Sequence, residues 1–277
     1  MVGSQEKWGA ENVLVTIAGG LEKEIQAILF DKDGTLVEFA VPWGWWMRTV
    51  AERVFAAVPA LGQRLCAVSD PFGIGISWRN IGDPLRYDPS SPIAIGSGDE
   101  LQTIVSWHIW RSGIPWDEAR AIAATCIAQA DRDLAARDLI SPLPGALAFV
   151  RWASESGLAL GLVTSDNTPR TEEQLSRLGV AGCFHSVVGR DRVVKGKPDP
   201  ALVHLACAEL AVEPRHVMVI GDTRADMAMG KSAGVAVTVL IAAVDDRSAP
   251  ICAYADLVIT DFHQLRKECS KMERRHA

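Results

Sequence analysis

Two carboxylates, those of Asp31 and Asp33, stand one residue apart in the segment 30–36. They follow an apolar run at 25–30 that is short enough to be one buried strand. Gly34 allows the backbone to turn sharply behind them. One carboxylate in such a place can hold a divalent cation or attack a phosphorus centre. Two of them can divide the roles of nucleophile and general acid/base.

The same Asp-x-Asp-Gly pattern also occurs in calcium-binding loops. An EF-hand needs further ligands at alternate positions and a glutamate at the twelfth. Here the fifth position is Thr35 and the twelfth is Pro42, so the calcium-loop interpretation fails. A plain acidic turn after a strand remains an alternative for this segment taken alone.

Hydroxyl groups follow the next predicted core strand, which ends at Val163. Thr164 and Ser165 come directly after it. Hydroxyls and free backbone N–H groups at the start of the following helix suit a phosphate group. A simple N-cap for that helix is the alternative.

Lys197 lies further along, in a loop stiffened by Pro198 and Pro200. A compact ammonium there could neutralise a phosphoryl group and an attacking carboxylate. The segment is not a P-loop, because the required upstream glycine and following Ser/Thr are missing. A solvated charged loop is the alternative.

A second pair of acids, Asp222 and Asp226, follows the predicted strand at 217–220. The spacing of four residues places Asp226 one turn into a helix, on the same face as Asp222. Alone, the two acids could be a helix cap and a surface charge. Together with Asp31 they predict a site for an oxygen-preferring cation, and Mg²⁺ fits better than zinc because no His or Cys neighbours them.

Composition limits the classes of function. A net charge of −6 without a Lys/Arg block argues against general nucleic-acid binding. The six cysteines form neither a C-x-x-C pair nor a zinc spacing, which indicates buried thiols in a reducing compartment. No signal pattern or membrane-length apolar run is present in the sequence. We therefore expect a cytoplasmic enzyme or binding protein that acts without nucleic acid or membrane.

The elements that position these residues alternate between helix and strand from residue 142 onward. This alternation predicts an α/β fold: a Rossmann-like, doubly wound parallel sheet covered on both faces. For residues 41–140 the sequence instead predicts helices, near 45–58, 99–112 and 116–137. A Gly/Pro/Ser-rich segment at about 70–98 is predicted to be a long loop or hairpin. We therefore predict a core domain of residues 1–40 and 141–277, interrupted by an inserted α-helical cap domain of residues 41–140. Residues 1–24 contain one β-like run at 13–17, which we interpret as an added edge strand or arm of undetermined role.

As an ordered set, these segments resemble the four motifs of the haloacid dehalogenase (HAD) superfamily. The matching positions are Asp31-x-Asp33-Gly34-Thr35, Thr164, Lys197-Pro198 and Gly221-Asp222-x-x-x-Asp226. The insertion is similar to the helical C1-type cap of the phosphoglycolate phosphatase-like branch.

The resemblance implies a role for each matching residue. Asp31 would be the nucleophile that forms an aspartyl-phosphate, and Asp33 the general acid/base. Mg²⁺ would be held by Asp31, the backbone carbonyl of Asp33 and Asp222, with Asp226 orienting these ligands. Phosphate would be bound by the remaining motif residues and their neighbours: Gly34, Thr35, Thr164, Ser165 and Lys197.

Several activities of the superfamily can be weighed against the sequence. Carbon–halogen cleavage needs neither an acid at the position of Asp33 nor a metal, so the presence of both sets of residues argues against a dehalogenase. Cleavage of a carbon–phosphorus bond needs a lysine in the cap. No lysine lies between Asp33 and Val194, which argues against a phosphonatase. An ion pump is excluded because it would need membrane-spanning segments, and the sequence has no apolar run of that length. A magnesium-dependent phosphatase for a small, phosphoglycolate-like monoester is therefore the predicted function. A β-phosphoglucomutase-like mutase and a non-catalytic HAD-fold binding protein remain as alternatives.

The predicted substrate is a small phosphorylated metabolite. Four cap arginines could grip a substrate carboxylate, or could be ordinary surface residues: Arg48, Arg79, Arg86 and Arg111. Seven tryptophans fall between 41 and 140, and we expect most of them to be core. Trp43, Trp45 and Trp46 follow the nucleophile closely, and one of them could wall the pocket. The chain is expected to be a monomer or a homodimer.

Overall fold

The computed structural model describes residues 13–17, 21–77, 86–137, 139–242 and 250–269. The described residues fall into two compact units, divided after Leu36 and again after Ser141. The middle stretch forms one unit, and the two flanking stretches together form the other. The predicted domain boundaries, at 40/41 and 140/141, lie within a few residues of these divisions.

The strands, in chain order, are β1 (Val13–Ile17), β2 (Leu21–Ile25), β3 (Ala27–Phe30), β4 (Ile76–Ser77), β5 (Arg86–Tyr87), β6 (Ala159–Val163), β7 (Ser186–Val188), β8 (Val217–Gly221), β9 (Val237–Ile241) and β10 (Leu257–Ile259). The α-helices are α1 (Ala40–Ala57), α2 (Pro59–Leu65), α3 (Pro92–Ile95), α4 (Gly98–Trp110), α5 (Trp116–Ala135), α6 (Ala146–Glu155), α7 (Thr168–Arg177), α8 (Ala201–Leu210), α9 (Arg224–Ala233) and α10 (Phe262–Cys269).

Among the described residues of the flanking unit, six strands form one parallel sheet in the order β10-β9-β8-β3-β6-β7. Helices cover both of its faces. On one face Leu29 shares a hydrophobic cluster with Leu202 of α8 and Met229 of α9. On the other face the ring of Phe30 lies 6.2 Å from that of Phe149 in α6 and 6.4 Å from that of Phe262 in α10. The predicted doubly wound α/β fold is confirmed, with β3 near the middle of the sheet.

The start of the chain differs from the prediction in two ways. The run 25–30 is not one strand, because β2 ends at Ile25 and β3 begins at Ala27. The β-like run 13–17 does form a strand, but it does not extend the large sheet. It pairs antiparallel with β2 as a separate two-stranded sheet, with Val13 opposite Ile25 and Ile17 opposite Leu21.

The middle unit is mainly helical, as predicted. Helices α1, α4 and α5 share one core that includes Val50, Val105 and Ala123. The predicted acidic start of α4 is a capping box, in which Ser97 accepts from the backbone of Glu100 and the Glu100 carboxylate accepts from the Ser97 backbone in return. The predicted loop or hairpin contains the antiparallel pair β4 and β5.

The expectation that most cap tryptophans are core is wrong for three of them. Trp46 is buried, and its indole N–H donates to Asp131. Trp107 and Trp110 in α4 are 44% and 46% exposed, and Trp116 at the start of α5 is 42% exposed. Trp78 lies outside the described residues.

The thiols are not uniformly buried either. Cys126 and Cys207 are buried, whereas Cys66 is exposed. Within the described ranges, no helix is both long enough and apolar enough to cross a bilayer.

Candidate active site

Three of the predicted motifs meet at one edge of the sheet. Asp31, Thr164 and Asp222 each follow the end of a strand, and β3 lies between the other two strands. The register places the residue before Asp31 opposite Leu162 on one side and Ile220 on the other. The backbone N–H of Asp31 donates to the carbonyl of Ile220 over 2.8 Å. Parallel pairing therefore brings the three motifs together.

The Lys197 ammonium reaches this edge from the loop before α8. Its Nζ lies 2.5 Å from Oδ1 of Asp31 and 2.6 Å from Oδ1 of Asp226, with the lysine side chain only 5% exposed. Burial by itself lowers the pKa of Lys197, but Asp226 and Asp31 outweigh burial and raise the pKa above its ordinary value of 10.5. Lys197 is therefore a fixed positive charge beside the two carboxylates.

Asp31, Asp222 and Asp226 form a buried cluster in which one carboxylate oxygen from each lies within 4.8 Å of the others. Burial raises the pKa of Asp31 to about 7, against the opposing pull of the Lys197 ammonium. Burial, then repulsion from Asp31 and Asp226, raises the pKa of Asp222 well above 3.8. The Lys197 ammonium thus faces all three acids. Oxygen donors packed this closely suit a hard divalent cation, so the residues fit the predicted metal site.

Gly34 is required where the backbone passes Asp222. Its φ is +81°, in the left-handed region, and a Cβ built on it would lie 2.1 Å from Oδ2 of Asp222. The next residue, Thr35, is fully buried, and its hydroxyl donates to Oδ1 of Asp222 over 3.2 Å. Gly34 therefore leaves room for the Asp222 carboxylate, and Thr35 holds it by a hydrogen bond. The predicted contacts of these two residues with phosphate stay a prediction.

Asp226 is fixed by the start of α9, as its predicted place in the first turn requires. Thr223 is the N-cap, and its side chain accepts from the backbone N–H of Asp226. In return, Oδ2 of Asp226 accepts from the backbone and the hydroxyl of Thr223. This reciprocal capping leaves Oδ1 facing Lys197, so Asp226 is held in one orientation.

Thr164 is buried directly after β6, and its hydroxyl accepts from the backbone N–H of Asp166 over 3.1 Å. Ser165, beside it, is half-buried. The N-cap of the following helix α7 is Asn167, whose side chain accepts from the backbone N–H of Arg170. The alternative that Thr164 caps this helix is therefore wrong.

Asp33 does not join the acidic cluster through its carboxylate. Its Oδ2 lies 3.1 Å from the ammonium of Lys32, a residue for which the sequence predicted no role. Lys32 also contacts Asp166 and Gln174. The available signal was a lysine placed between two acids directly after a buried strand, where an ammonium is rarely without a partner.

Two of the four candidate cap arginines have described side chains. The guanidinium of Arg48 donates to Glu52, one turn along α1 and on an exposed surface. Arg111 lies over the ring of Trp107, 5.1 Å from its centre. Arg79 and the side chain of Arg86 lie outside the described residues. The two described arginines thus have ordinary surface environments within their own unit.

Several curated proteins with similar sequences are phosphatases. The chain is 30% identical over 122 residues to a phosphoglycolate phosphatase of Yersinia pseudotuberculosis, which is 44% of this chain and 53% of that protein. It is 36% identical over 100 residues to the phosphoglycolate phosphatase of Rhodospirillum rubrum, covering 36% and 42% of the two chains. It is 34% identical over 96 residues to the N-acetylmuramic acid 6-phosphate phosphatase of Pseudomonas aeruginosa, covering 35% and 42%. The chain therefore spans about half the length of the curated relatives it matches.

Solved structures share the fold at low identity. A predicted phosphoglycolate phosphatase from Haemophilus somnus superposes with a TM-score of 0.64 at 17% identity, covering 88% of this chain and 97% of that one. A putative β-phosphoglucomutase from Thermotoga maritima gives a TM-score of 0.58 at 20% identity, covering 88% and 98%. At such identities the likeness shows the fold alone.

One family model spans both the core motifs and the helical insertion. The model of the haloacid dehalogenase-like hydrolases matches residues 25–234, most of the chain. The motif residues quoted from the sequence lie within this range, and the structure places Asp31, Lys197 and Asp222 at one edge of the sheet. The chain belongs to the haloacid dehalogenase-like hydrolase family.

Proposed function

We propose that this chain is a magnesium-dependent phosphatase that hydrolyses a small phosphate monoester through an aspartyl-phosphate on Asp31. The observation that carries the proposal is the convergence of Lys197 on Asp31, within a cluster completed by Asp222 and Asp226. A nucleophile, a charge-neutralising ammonium and oxygen ligands for a cation are the parts that phosphoryl transfer requires.

In the first step, a carboxylate oxygen of Asp31 attacks the phosphorus atom. The bond from phosphorus to the ester oxygen breaks as Asp33 gives that oxygen a proton, so the alcohol leaves neutral. The Lys197 ammonium offsets charge on Asp31 and on the phosphoryl oxygens. Thr164, Ser165 and the N–H groups of their loop bind the remaining phosphoryl oxygens.

In the second step, Asp33 accepts a proton from a water molecule that attacks the phosphorus atom. The bond from phosphorus to Asp31 breaks, which releases inorganic phosphate and regenerates the carboxylate of Asp31.

Asp31, Asp222 and the backbone carbonyl of Asp33 would hold Mg²⁺. When bound, it would supply positive charge that stabilises the transferring phosphoryl group. Asp226 would orient these groups, as the resemblance to the family implies. Its two oxygens are already engaged by Thr223 and Lys197.

The relatives guide the choice of substrate. Phosphoglycolate and N-acetylmuramic acid 6-phosphate are both monoesters of alcohols that carry a carboxylate, and the phosphatases named for them are similar to this chain. We therefore propose a phosphorylated hydroxy acid as the substrate class. The predicted cytoplasmic location belongs to the same proposal.

A screen of phosphate monoesters, with and without Mg²⁺, tests the proposed function. We expect phosphate release that requires Mg²⁺, with phosphorylated hydroxy acids among the best substrates and Asp31→Asn as the inactive control. Detection of an isomerised sugar phosphate without net phosphate release would instead establish the mutase alternative. Absence of turnover across the panel would favour a binding protein and contradict the proposal.

A further inference from the structure

Lys32 is a buried ammonium between the two acids of the first motif. Its side chain is 2% exposed. Nζ lies 3.1 Å from Oδ2 of Asp33, 2.7 Å from Oδ2 of Asp166 and 2.5 Å from Oε1 of Gln174. The contacts with Asp166 and Gln174 are hydrogen bonds, and the contact with Asp33 is an ion pair.

These contacts join parts of the chain that are far apart in sequence. Asp33 lies in the loop after β3, whereas Asp166 belongs to the loop after β6 and Gln174 to α7. Asp166 is 134 residues from Lys32, and Gln174 is 142. Lys32 therefore ties the loop that carries the proposed acid/base to the loop of Thr164 and Ser165.

The cost of burying this charge argues for a role beyond filling space. An ammonium removed from water loses favourable solvation free energy, and an apolar side chain of similar volume often stabilises a fold as well or better. The pKa of Asp166 is lowered: burial raises it, but attraction from Lys32 and then Arg170 is stronger. The ion pair is thus maintained at neutral pH. The side chain of Asp33 is 17% exposed, so Lys32 contacts one of its oxygens without burying the carboxylate completely.

We propose that Lys32 is a positioning residue that fixes the carboxylate of Asp33 relative to the phosphate-binding loop, through Asp166 and Gln174. The proposal rests on the proposed function, in which Asp33 protonates the leaving group. It predicts that loosening Lys32 harms proton transfer more than it harms phosphate binding or nucleophilic attack.

The dependence of kcat/KM on the leaving group tests this directly. An alkyl phosphate has a poor leaving group that needs a proton, whereas 4-nitrophenyl phosphate releases a stable anion without one. Because kcat/KM reports only the steps up to departure of the leaving group, it isolates the acid role of Asp33. We expect Lys32→Met to lower kcat/KM for the alkyl ester by about 100-fold and to change it much less for the aryl ester. Equal losses on both esters, or no loss, would overturn the proposal.

Further variants separate this effect from a loss of folding. Gln174→Leu removes one acceptor from a half-buried position and should cause a smaller loss that is again selective for the alkyl ester. The double variant Lys32→Met/Asp166→Asn removes both buried charges together and should show the same selectivity. If Lys32→Met does not fold, the Gln174→Leu variant is the deciding test. Equal losses of kcat/KM on the two esters in that variant, or no loss, would overturn the proposal. Lys231→Met, at an exposed lysine, is the matched control and should leave both rates unchanged.

Asp33→Asn distinguishes failure of this inference from failure of the proposed function. It should lower kcat/KM for the alkyl ester at least as much as Lys32→Met does, and again change kcat/KM for the aryl ester much less. If Asp33→Asn shows this selective loss but the Lys32 and Gln174 variants do not, the proposed phosphatase activity is supported and the positioning role of Lys32 is contradicted. If wild-type protein releases no phosphate from either ester, the proposed function itself has failed.

Discussion

The ammonium of Lys197 lies 2.5 Å from the carboxylate of Asp31, although 166 residues separate them in the chain. The same nitrogen lies 2.6 Å from Asp226. The proposed nucleophile is thus held from the loop before α8 as well as by its own strand. This relationship explains how an acid whose pKa is raised by burial can still be used as a carboxylate.

Removing the ammonium should cost both stability and activity. Lys197→Met leaves buried acids without the partner they now share, which typically lowers the free energy of unfolding by about 3–5 kcal/mol. We expect that loss in urea titrations with EDTA, together with a fall in kcat of roughly 100-fold or more because charge on the phosphoryl group is no longer offset. Lys231→Met is again the exposed control. Unchanged stability and kcat in Lys197→Met would contradict the assignment.

The stability of the metal-free protein should depend on pH in a particular direction. The pKa of Asp31 is about 7 in the folded protein and 3.8 ordinarily. The folded state therefore retains a proton that the unfolded state has lost between these values, and stability falls as pH rises from about 4 to about 7. In EDTA we expect the free energy of unfolding to decrease by on the order of 2–4 kcal/mol between these two pH values. Asp31→Asn should reduce the slope, although Asp222, whose pKa is also raised, retains part of it. Stability that rises over this range would show that Asp31 is not in the environment described.

Replacing Gly34 should disturb the metal site as well as the fold. The added Cβ would lie 2.1 Å from Oδ2 of Asp222, and the residue would keep a left-handed φ that costs about 1–3 kcal/mol without glycine. Gly234→Ala is the matched control, because φ there is +74° but an added Cβ would have no atom within 4 Å. Both variants should lose stability. Only Gly34→Ala should weaken Mg²⁺ activation, measured as the concentration that gives half-maximal rate, and equal activation in both variants would argue against the role of Asp222.

Much of the site was predictable because its residues follow strands. Asp31, Thr164 and Asp222 each come directly after a strand, and parallel strands align such ends whatever their separation in the chain. Lys197 was predictable only as part of an ordered set of motifs. Its place beside Asp31 depends on how the loop before α8 folds, and periodicity carries no information about that.

The contacts of Lys32 were not predictable for a related reason. A lysine between two acids directly after a buried strand indicates that the ammonium has partners, but it does not say which. Its partners Asp166 and Gln174 are more than a hundred residues away in the chain. The pairing of β1 was missed because its partner, β2, contains Glu22, Lys23 and Glu24 and resembles a polar leader. The exposed tryptophans Trp107 and Trp110 were misjudged because residue type indicates burial only on average.

Direct detection of phosphate on Asp31 tests the central claim. The protein is mixed with an aryl phosphate and Mg²⁺, quenched in acid within milliseconds, and reduced with borohydride, which converts an aspartyl-phosphate to homoserine. Peptide mass spectrometry should then find homoserine at position 31, in higher yield in Asp33→Asn, where attack by water is slowed, and none in Asp31→Asn. Phosphate release with Asp31 unmodified at every quench time, or with the label on another residue, would contradict the account.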